Sequence, residues 1–349
     1  MMKFLIITFS LLITNCLYSA DTNVPSDTQK TENAQVSAQD TEKPESVEKN
    51  TKKQAKKAKK AKKTDNKVEN DEVSEPQDKE TLKIFENIPH EKIYTSEGRL
   101  NHPFFDLPIS TEAVNSKYKS IQPGEYLEYD IYLGVTRVGA AWLFCDGIVH
   151  IGTHTAYHLL SGVRSASFVE KLYKVKDRND SWFDTETLNS YGYYKELNEG
   201  HYFFNEWTIF DEADKRYFGK KLNRRKELSS FDGTLPLPVS DILSSMYKVR
   251  ALRMKKGEKI MMDVNTKKNW QMEATVLRTE KIATIFGKKR CIVGEPKVGS
   301  EGIFVSKAGK RLFVWLTDDE DQIPVLMKAE TFFGSISAKL VKREMRFQQ

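Results

Sequence analysis

One stretch, residues 235–252, limits the fold more than any other part of the chain. It begins with a Pro-Leu-Pro run, which excludes a helix there because each proline fixes φ and removes a backbone donor. After that run, Ile242, Met246 and Val249 recur at helical spacing and predict one buried apolar helix face. The segments on either side alternate as strands do. We therefore expect one main helix in a chain that otherwise forms strands.

The predicted helix has recognisable ends. Ser240 is the expected N-cap, Asp241 places a negative charge in the first turn, and Gly257 is the expected end. Arg250 falls at the edge of the apolar face, one turn from Tyr247. An arginine there either forms an internal ion pair that holds the helix on the sheet, which we favour, or contacts an anion inside a cleft.

Short alternating segments surround this helix. They are residues 127–135, 138–145, 155–163, 167–177, 180–194, 201–210, 259–264, 270–277, 281–286, 290–293, 311–316 and 332–340. Residues 189–200 are rich in turn residues, and residues 211–232 are polar and predict a hairpin and loop. The pattern predicts a mainly β fold, either a curved antiparallel sheet or an open half-barrel, with one principal helix packed against it.

Residues 1–20 have the pattern of an export signal, a lysine followed by a short apolar run. The segment ending at Cys16 resembles a bacterial lipobox, whose cysteine would carry lipid. The alternative is ordinary cleavage near Ala20. Both predict a location outside the cytoplasm of a bacterium, in the periplasm or attached to the outer membrane. No later segment approaches the roughly 18 apolar residues that a membrane-spanning helix needs.

Residues 21–80 contain no aromatic residue and carry 13 lysines against 14 acidic residues. This composition predicts a disordered charged linker. Its lysine block at 52–63 has two alternative interpretations. It is part of a solvated tether, or it binds an anionic polymer or lipid. Residues 81–120 predict an extended strap because prolines disfavour regular structure there. Residues 121–349 form the expected β-rich domain.

Three motifs, in order, resemble the domain of unknown function 3108 family over residues 121–342. The residues that carry the resemblance are Gly124, Glu125, Asp241, Ser244, Tyr247, Arg250, Trp315, Pro324 and Gly334. The resemblance implies an exported, β-rich domain of the bacterial envelope, similar to the half-barrels of periplasmic lipoprotein carriers. It implies no catalytic residues.

Several polar groups could support chemistry. His150, His154 and His158 would face the same way on one strand, but Gly152 predicts a turn that separates them. The acidic run at 318–321 has no calcium-loop spacing and predicts a solvated turn. Asp177, Asp180 and Asp184 could supply paired carboxylates for acid–base work, but their surroundings favour surface or turn positions.

The cysteines and the absence of known motifs limit which metals, cofactors and reactions the sequence supports. Cys145 and Cys291 lie in apolar strand-like runs, either as buried free thiols or as a disulfide. The sequence has no zinc spacing, nucleophile elbow or phosphate-binding loop, so we predict no metal and no cofactor. DNA binding is not expected behind an export signal.

The sequence therefore favours an envelope-tethered binding or scaffolding module over an enzyme. The expected partner is a lipid or an envelope polymer, with membrane association only through a lipid anchor at Cys16. The alternative is an envelope hydrolase that acts on glycan or lipid. The candidate binding residues are Trp142, Phe144, Tyr173, Trp182, Phe203, Trp315 and Arg250.

Overall fold

A computed structural model describes residues 90–111, 117–298, 311–331 and 334–347. The predictions for the export signal, for lipidation at Cys16, for cleavage near Ala20 and for the linker at 21–80 lie outside these residues. No helix in the described part of the chain is long and apolar enough to cross a membrane.

The described elements are mostly strands. In chain order they are α1 (His90–Ile93), a 3-10 helix (Pro103–Asp106), β1 (Glu125–Leu133), β2 (Thr136–Ile151), β3 (His154–Ser165), α2 (Ser167–Glu170), β4 (Lys176–Asp184), β5 (Ser190–Glu199), β6 (Tyr202–Asp211), β7 (Arg216–Asn223), β8 (Leu228–Thr234), β9 (Val239–Ser240), α3 (Ile242–Leu252), β10 (Lys259–Asn265), β11 (Asn269–Thr284), β12 (Gly287–Val298), β13 (Leu312–Thr317), β14 (Pro324–Thr331) and β15 (Gly334–Met345).

All of these strands join one sheet, with β1 near its middle. From β1 the chain runs through consecutive antiparallel hairpins to β8 at one edge. It then crosses through β9 and α3 to the opposite edge and returns through β10–β14 to β15, which pairs with β1. The predicted mainly β fold, an antiparallel sheet with one principal helix, is confirmed.

The sheet is open, because β8 and β9 are unjoined edges, but it curls until its two halves touch. Tyr217 Oη on β7 donates to the Lys267 carbonyl in the β10–β11 turn at 2.7 Å. Asn269 Nδ2 donates to the Thr234 carbonyl at the end of β8, also at 2.7 Å. Register shifts such as those at Cys145/Gly147 and Val276/Arg278 add the local twist that curls a sheet.

A buried ion pair fixes α3 on the inner face of the sheet. Arg250 Nη1 donates to Glu125 Oε2 on β1 at 2.8 Å, and both side chains are almost fully buried. The guanidinium also donates to the carbonyls of Asp321 and Gln322 at 3.1 Å each. Arg343 on β15 contacts the other Glu125 oxygen at 3.0 Å. Of the two alternatives for Arg250, the structure shows the internal ion pair.

The helix begins one residue later than predicted. Asp241 is the N-cap, and its carboxylate accepts from the Leu243 and Ser244 amides at 2.8 and 3.0 Å. The Ser244 hydroxyl accepts from the Asp241 amide, which completes a capping box. The prediction of Ser240 as N-cap is wrong because Ser240 pairs with β10 as part of β9.

The end of the helix was also predicted wrongly. It ends at Leu252 rather than near Gly257, because Arg253 adopts the left-handed conformation. The buried face was assigned to the wrong residues as well. Leu243, Tyr247 and Ala251 are buried in the main core, whereas the predicted apolar residues of α3 are half-buried.

Three strand predictions need correction. The predicted strand at 167–177 is α2 followed by a connection, and only its last two residues belong to β4. The inward residues Val169 and Tyr173 are four positions apart, as in a helix, instead of alternating. The residues predicted as turns at 189–200 form β5 instead. Gly192 belongs to that strand because its missing side chain lets the Thr208 carbonyl of β6 approach. The sequence analysis did not identify β14, whose first residue is a proline.

A second core lies where residues 90–111 cover β2–β7. Leu100 and Phe104 from this segment pack with Trp182 and Trp207 of the sheet. Leu100 N donates to Asn205 Oδ1 at 2.6 Å, and Ser110 pairs with Ile148 in a bridge. The described part of this segment therefore combines short helices with extended backbone that is bonded to the sheet.

The buried ion pair generates the first prediction. Replacing Glu125 by Gln keeps an acceptor oxygen but removes the negative charge, so the Arg250 charge stays buried with neutral acceptors only. We expect the free energy of unfolding to fall by about 3–5 kcal/mol. The matched control is Glu128→Gln on the same strand, where Glu128 is partly exposed and 3.9 Å from Arg164. That control should change stability by less than about 0.5 kcal/mol. Equal losses in urea unfolding of the two variants would contradict the anchoring role.

The helix start generates the second prediction. Asp241→Ala removes the cap and also the acceptor of hydrogen bonds from Ser181 and Ser190, at 2.6 and 2.7 Å. We expect a loss of about 2 kcal/mol or more. Ser240→Ala is the control and should cost less than about 0.5 kcal/mol, since Ser240 Oγ has no hydrogen-bond partner among the described residues. Thermal unfolding measures the stability of both variants. A larger loss for Ser240→Ala than for Asp241→Ala would support Ser240 as the N-cap.

Candidate functional site

The candidate site is a cavity of about 120 Å³ between α3 and the strands β10–β14. It is partly open to solvent. The helix lines it with Ile242, Met246 and Val249, which are spaced by about one turn and so lie on one side of the helix. The apolar face predicted for this helix therefore exists, but it borders the cavity instead of the densely packed core.

The apolar lining residues of the strands recur mainly at every second position, as expected from the alternation of side chains across a sheet. On β11 they are Met272, Ala274 and Val276, and the polar Thr275 also lines the cavity. The remaining apolar wall comes from Leu143, Leu243, Met254, Val264, Ile292, Pro296, Leu312, Val314, Leu316 and Met327. The cavity is therefore closed on the sheet side by the inner face of five consecutive strands.

The few polar residues at the cavity already have partners. Ser245 Oγ donates to the Ile242 carbonyl at 2.7 Å. Thr275 Oγ1 donates to Glu273 at 2.9 Å. Glu295 accepts two hydrogen bonds from Arg311, at 2.6 and 3.0 Å, and these hold its pKa below the usual range. The site therefore offers apolar contact and no unpaired polar group from these three residues.

Methionine is prominent in this wall, since Met246, Met254, Met272 and Met327 are four of the chain's nine methionines. Its unbranched side chain adapts to irregular and changing apolar surfaces. The sequence analysis placed Met246 on the apolar helix face but selected none of these methionines as a binding residue. The available signal was their placement on the helix and on the inward positions of the later strands.

The predicted aromatic binding residues do not form one groove, and none of them lines this cavity. Trp142 and Phe144 lie on the outer face of β2 beside Tyr126. Trp315 lies between the cavity residues Val314 and Leu316 on β13 and is buried in the main core, where its indole N–H donates to Glu280.

The other three aromatic candidates lie elsewhere on the sheet. Trp182 is buried between the rings of His102 and His158, with centroid distances of 4.2 and 4.9 Å. Tyr173 is buried and donates to the Glu199 carbonyl at 3.3 Å. Phe203 is half-buried below the Lys226 ammonium, which is 5.1 Å from the ring centroid. Trp182 and Phe203 belong to the second core, whereas Tyr173 belongs to the main core.

The residues that carried the family resemblance hold the helix and the ends of the sheet together. Asp241 and Ser244 form the capping box, and Tyr247 stacks 5.0 Å from the Arg250 guanidinium. The Pro324 carbonyl accepts from Tyr129 Oη at 2.8 Å. Gly124 and Gly334 have positive φ values of 87° and 119°. These positions serve the architecture that forms the cavity wall.

A buried polar network occupies the other half of the sheet. Asp180 is fully buried and accepts from His158 at 3.0 Å and from Arg178 at 2.7 Å twice. Burial disfavours the charge on Asp180, but the bonds from His158 and Arg178 outweigh it and lower the pKa. Burial also opposes a charge on His158, yet Asp146 and Asp180 together raise its pKa above 6.5.

The three aspartates considered for acid–base chemistry have separate surroundings. Asp184 caps its own turn through the Glu186 and Thr187 amides. Burial and the neighbouring Glu199 carboxylate raise the pKa of Asp177 well above its usual value. Neither Asp177 nor Glu199 lines the cavity.

The remaining candidates have structural partners. The β2–β3 turn places His150 and His154 on different strands. In the acidic run, Asp318 pairs with Arg290 and Asp321 with Arg343. No cluster of three or more metal-ligating side chains occurs within the described ranges. Both described cysteines, Cys145 and Cys291, are buried free thiols, so the disulfide alternative is wrong.

Comparison with known proteins gives a family match. The family model described as a protein of unknown function (DUF3108) matches residues 128–341. No curated protein matches the chain.

Solved structures with a similar arrangement are only distantly related. A β-barrel-like protein of domain of unknown function DUF1849 from Brucella abortus has a TM-score of 0.42 and 9% identity, covering 64% of this chain and 98% of that one. A protein described as a candidate lipoprotein from Parabacteroides distasonis has a TM-score of 0.30 and 8% identity, covering 66% and 99%. A candidate exported protein with a YmcC-like fold from Bacteroides fragilis has a TM-score of 0.28 and 8% identity, covering 64% and 96%.

The histidine in the buried network generates a pH prediction. The pKa of His158 is raised in the folded state, so its contribution to stability is complete below pH 6.5 and is lost as the pH rises through the folded-state pKa. We expect wild-type protein to lose stability over this range and His158→Gln to lose less. His150→Gln, on the exposed side of β2, is the control and should follow the wild type. Urea unfolding across the pH range measures the slopes, and parallel slopes for wild type and His158→Gln would contradict the prediction.

Proposed function

Because the chain belongs to the family of proteins of unknown function DUF3108, we propose its function from the geometry of the site. The domain binds an apolar or amphipathic component of the cell envelope and holds it without transforming it. The observation that carries this proposal is the apolar cavity between α3 and the inner face of β10–β14.

The size of the cavity sets what can enter it. An engineered apolar cavity of about 150 Å³ stays dry and binds benzene or xenon. A cavity of about 120 Å³ therefore suits one small apolar group or the end of an acyl chain. Since the cavity is partly open, the rest of a longer ligand can extend outside it. The methionine side chains allow the wall to adjust to ligands of different shape.

The chemistry of the wall favours binding over hydrolysis. Hydrolysis of a glycosidic bond needs two carboxyl groups on either side of the bond. Among the described residues, Glu295 is the one carboxylate that lines the cavity, and Arg311 holds it. The buried Asp241 caps α3, while Asp177, Asp180 and Asp184 lie in the other half of the sheet. An envelope location is part of the proposal and rests on the export-signal pattern of residues 1–20.

Ligand titration tests the proposal directly. We expect saturable binding of benzene, followed by NMR, and of cis-parinaric acid, followed by fluorescence, with the fatty acid recovered unchanged by mass spectrometry. Ala274→Leu places a larger side chain on a wall position of β11 and should reduce both affinities by about tenfold or more. Ala283→Leu lies on the same strand in an exposed position and should bind as the wild type does.

The outcomes separate the candidate functions. Absence of binding by the folded wild-type protein would favour a scaffold, and recovery of a cleaved ligand would favour a hydrolase. Equal loss of affinity in Ala274→Leu and Ala283→Leu would place the binding site elsewhere. Thermal unfolding of each variant shows whether the fold is retained.

A further inference from the structure

One rim of the sheet combines exposed apolar side chains with cations. Strands alternate in direction from β1 to β8, so the turns β1–β2, β3–β4, β5–β6 and β7–β8 all lie at the same rim. We call this the basic rim and define it by residues 134–135, 166–175, 200–201 and 224–227.

Three apolar side chains project from the basic rim into solvent. Val135 is 95% exposed, Leu172 is 71% exposed and Phe168 is 57% exposed. Val135 and Leu172 are more exposed than any other large hydrophobic residue in the described chain. Single exposed apolar residues are common on protein surfaces, but a group of them at one rim marks an interaction site.

The structure holds two of these side chains outward. Within residues 166–175, Val169 and Tyr173 face inward and are buried, and Phe168 and Leu172 occupy the preceding positions and face outward. The segment is fixed by hydrogen bonds from the Ala166 amide to the Val138 carbonyl at 2.9 Å and from the Gly200 amide to the Lys174 carbonyl at 2.6 Å. The first of these bonds also ties the segment to β2, next to the Val135 turn.

Cations surround the exposed apolar group. Between residues 164 and 176 the chain has four cations, Arg164, Lys171, Lys174 and Lys176, and one acidic residue, Glu170. The three lysines are exposed and have no ion-pair partner among the described residues. At the far end of the rim, Arg224 and Arg225 are also exposed and unpaired within the described chain.

We propose that the basic rim docks on a bilayer surface that contains anionic lipids. Apolar side chains that enter the boundary between headgroups and acyl chains supply one part of the affinity, and basic residues near the headgroups supply the other. A purely apolar partner surface would leave the unpaired lysines desolvated, so the charge favours an anionic one. This contact is additional to the lipid anchor predicted at Cys16, and it is independent of the cavity.

Vesicle flotation with the full chain tests the proposal. The probes are vesicles of phosphatidylcholine alone and of phosphatidylcholine mixed with phosphatidylglycerol. The variant Phe168→Ser/Leu172→Ser should bind the anionic vesicles about tenfold more weakly than wild type. Its matched control, Met261→Ser/Val341→Ser, removes two exposed apolar side chains from strand positions away from the rim and should bind as wild type does.

A second pair of variants tests the charge. Lys171→Glu/Lys174→Glu should weaken binding to anionic vesicles, and the difference from wild type should shrink as salt is added. Lys281→Glu/Lys288→Glu, two exposed lysines of β11 and β12, makes the same change in net charge elsewhere. All variants keep the lysine block at 52–63, so its contribution is common to every comparison.

Either of two results would overturn the proposal. The first is equal binding of wild type and both rim variants to anionic vesicles. The second is an equal loss in the rim variants and their controls, which would show a dependence on overall charge or hydrophobicity. Unchanged thermal unfolding of the variants confirms that the substitutions leave the fold intact.

Discussion

The structure depends on a single buried charge contact between the helix and the sheet. Arg250 of α3 is fully buried and pairs with Glu125 on β1, while Arg343 on β15 contacts the other oxygen of that carboxylate. A buried charge is tolerated only when it is paired and hydrogen-bonded, so the helix has one register in which all of these bonds form. The same contact joins β1 and β15, the first and last strands along the chain. These strands pair with each other in the middle of the sheet because the chain returns to its starting strand.

This anchoring explains why the helix has two different sides. The side with Leu243, Tyr247 and Arg250 packs into the main core and carries the polar contacts. The other side carries Ile242, Met246 and Val249 and faces strands that stand far enough away to leave a cavity. A helix held by directional polar bonds cannot simply move toward those strands to fill the space, because the bonds would break. The cavity is therefore a consequence of the ion pair and the cap.

The two halves of the sheet differ in how their inner faces are filled. The half from β2 to β7 is covered by residues 90–111 and filled with aromatic rings and a buried hydrogen-bonded network around Asp180. Such a network specifies one arrangement and leaves little room for a ligand. The half from β10 to β14 has smaller, flexible side chains on its inner face and holds the cavity. The rigid half also displays the basic rim, so the proposed membrane contact and the proposed ligand site lie on different parts of the sheet.

The sequence by itself determined the fold class, because alternation of side chains and a single helical period are local properties. It also identified the residues of the helix cap and of the ion pair as a group, through the family resemblance. It could not place the cap at Asp241 instead of Ser240, since that choice depends on Ser240 pairing with β10. Likewise, it assigned turn residues to 189–200, although the approach of the Thr208 carbonyl explains why β5 contains Gly192.

The sequence predicted the apolar helix face, but only the tertiary structure decided that this face borders a cavity. Large aromatic residues such as Trp142, Trp182 and Trp315 were the binding candidates in the sequence. In the structure, Trp142 lies on the outer face of β2, Trp182 lies in the second core and Trp315 is buried in the main core. Which face of each strand turns inward depends on the register shifts and on where the helix is anchored. Whether an apolar helix face meets dense packing or a cavity depends on the distance between elements far apart in the chain. These distances are set by long-range contacts, and no local pattern in a sequence contains them.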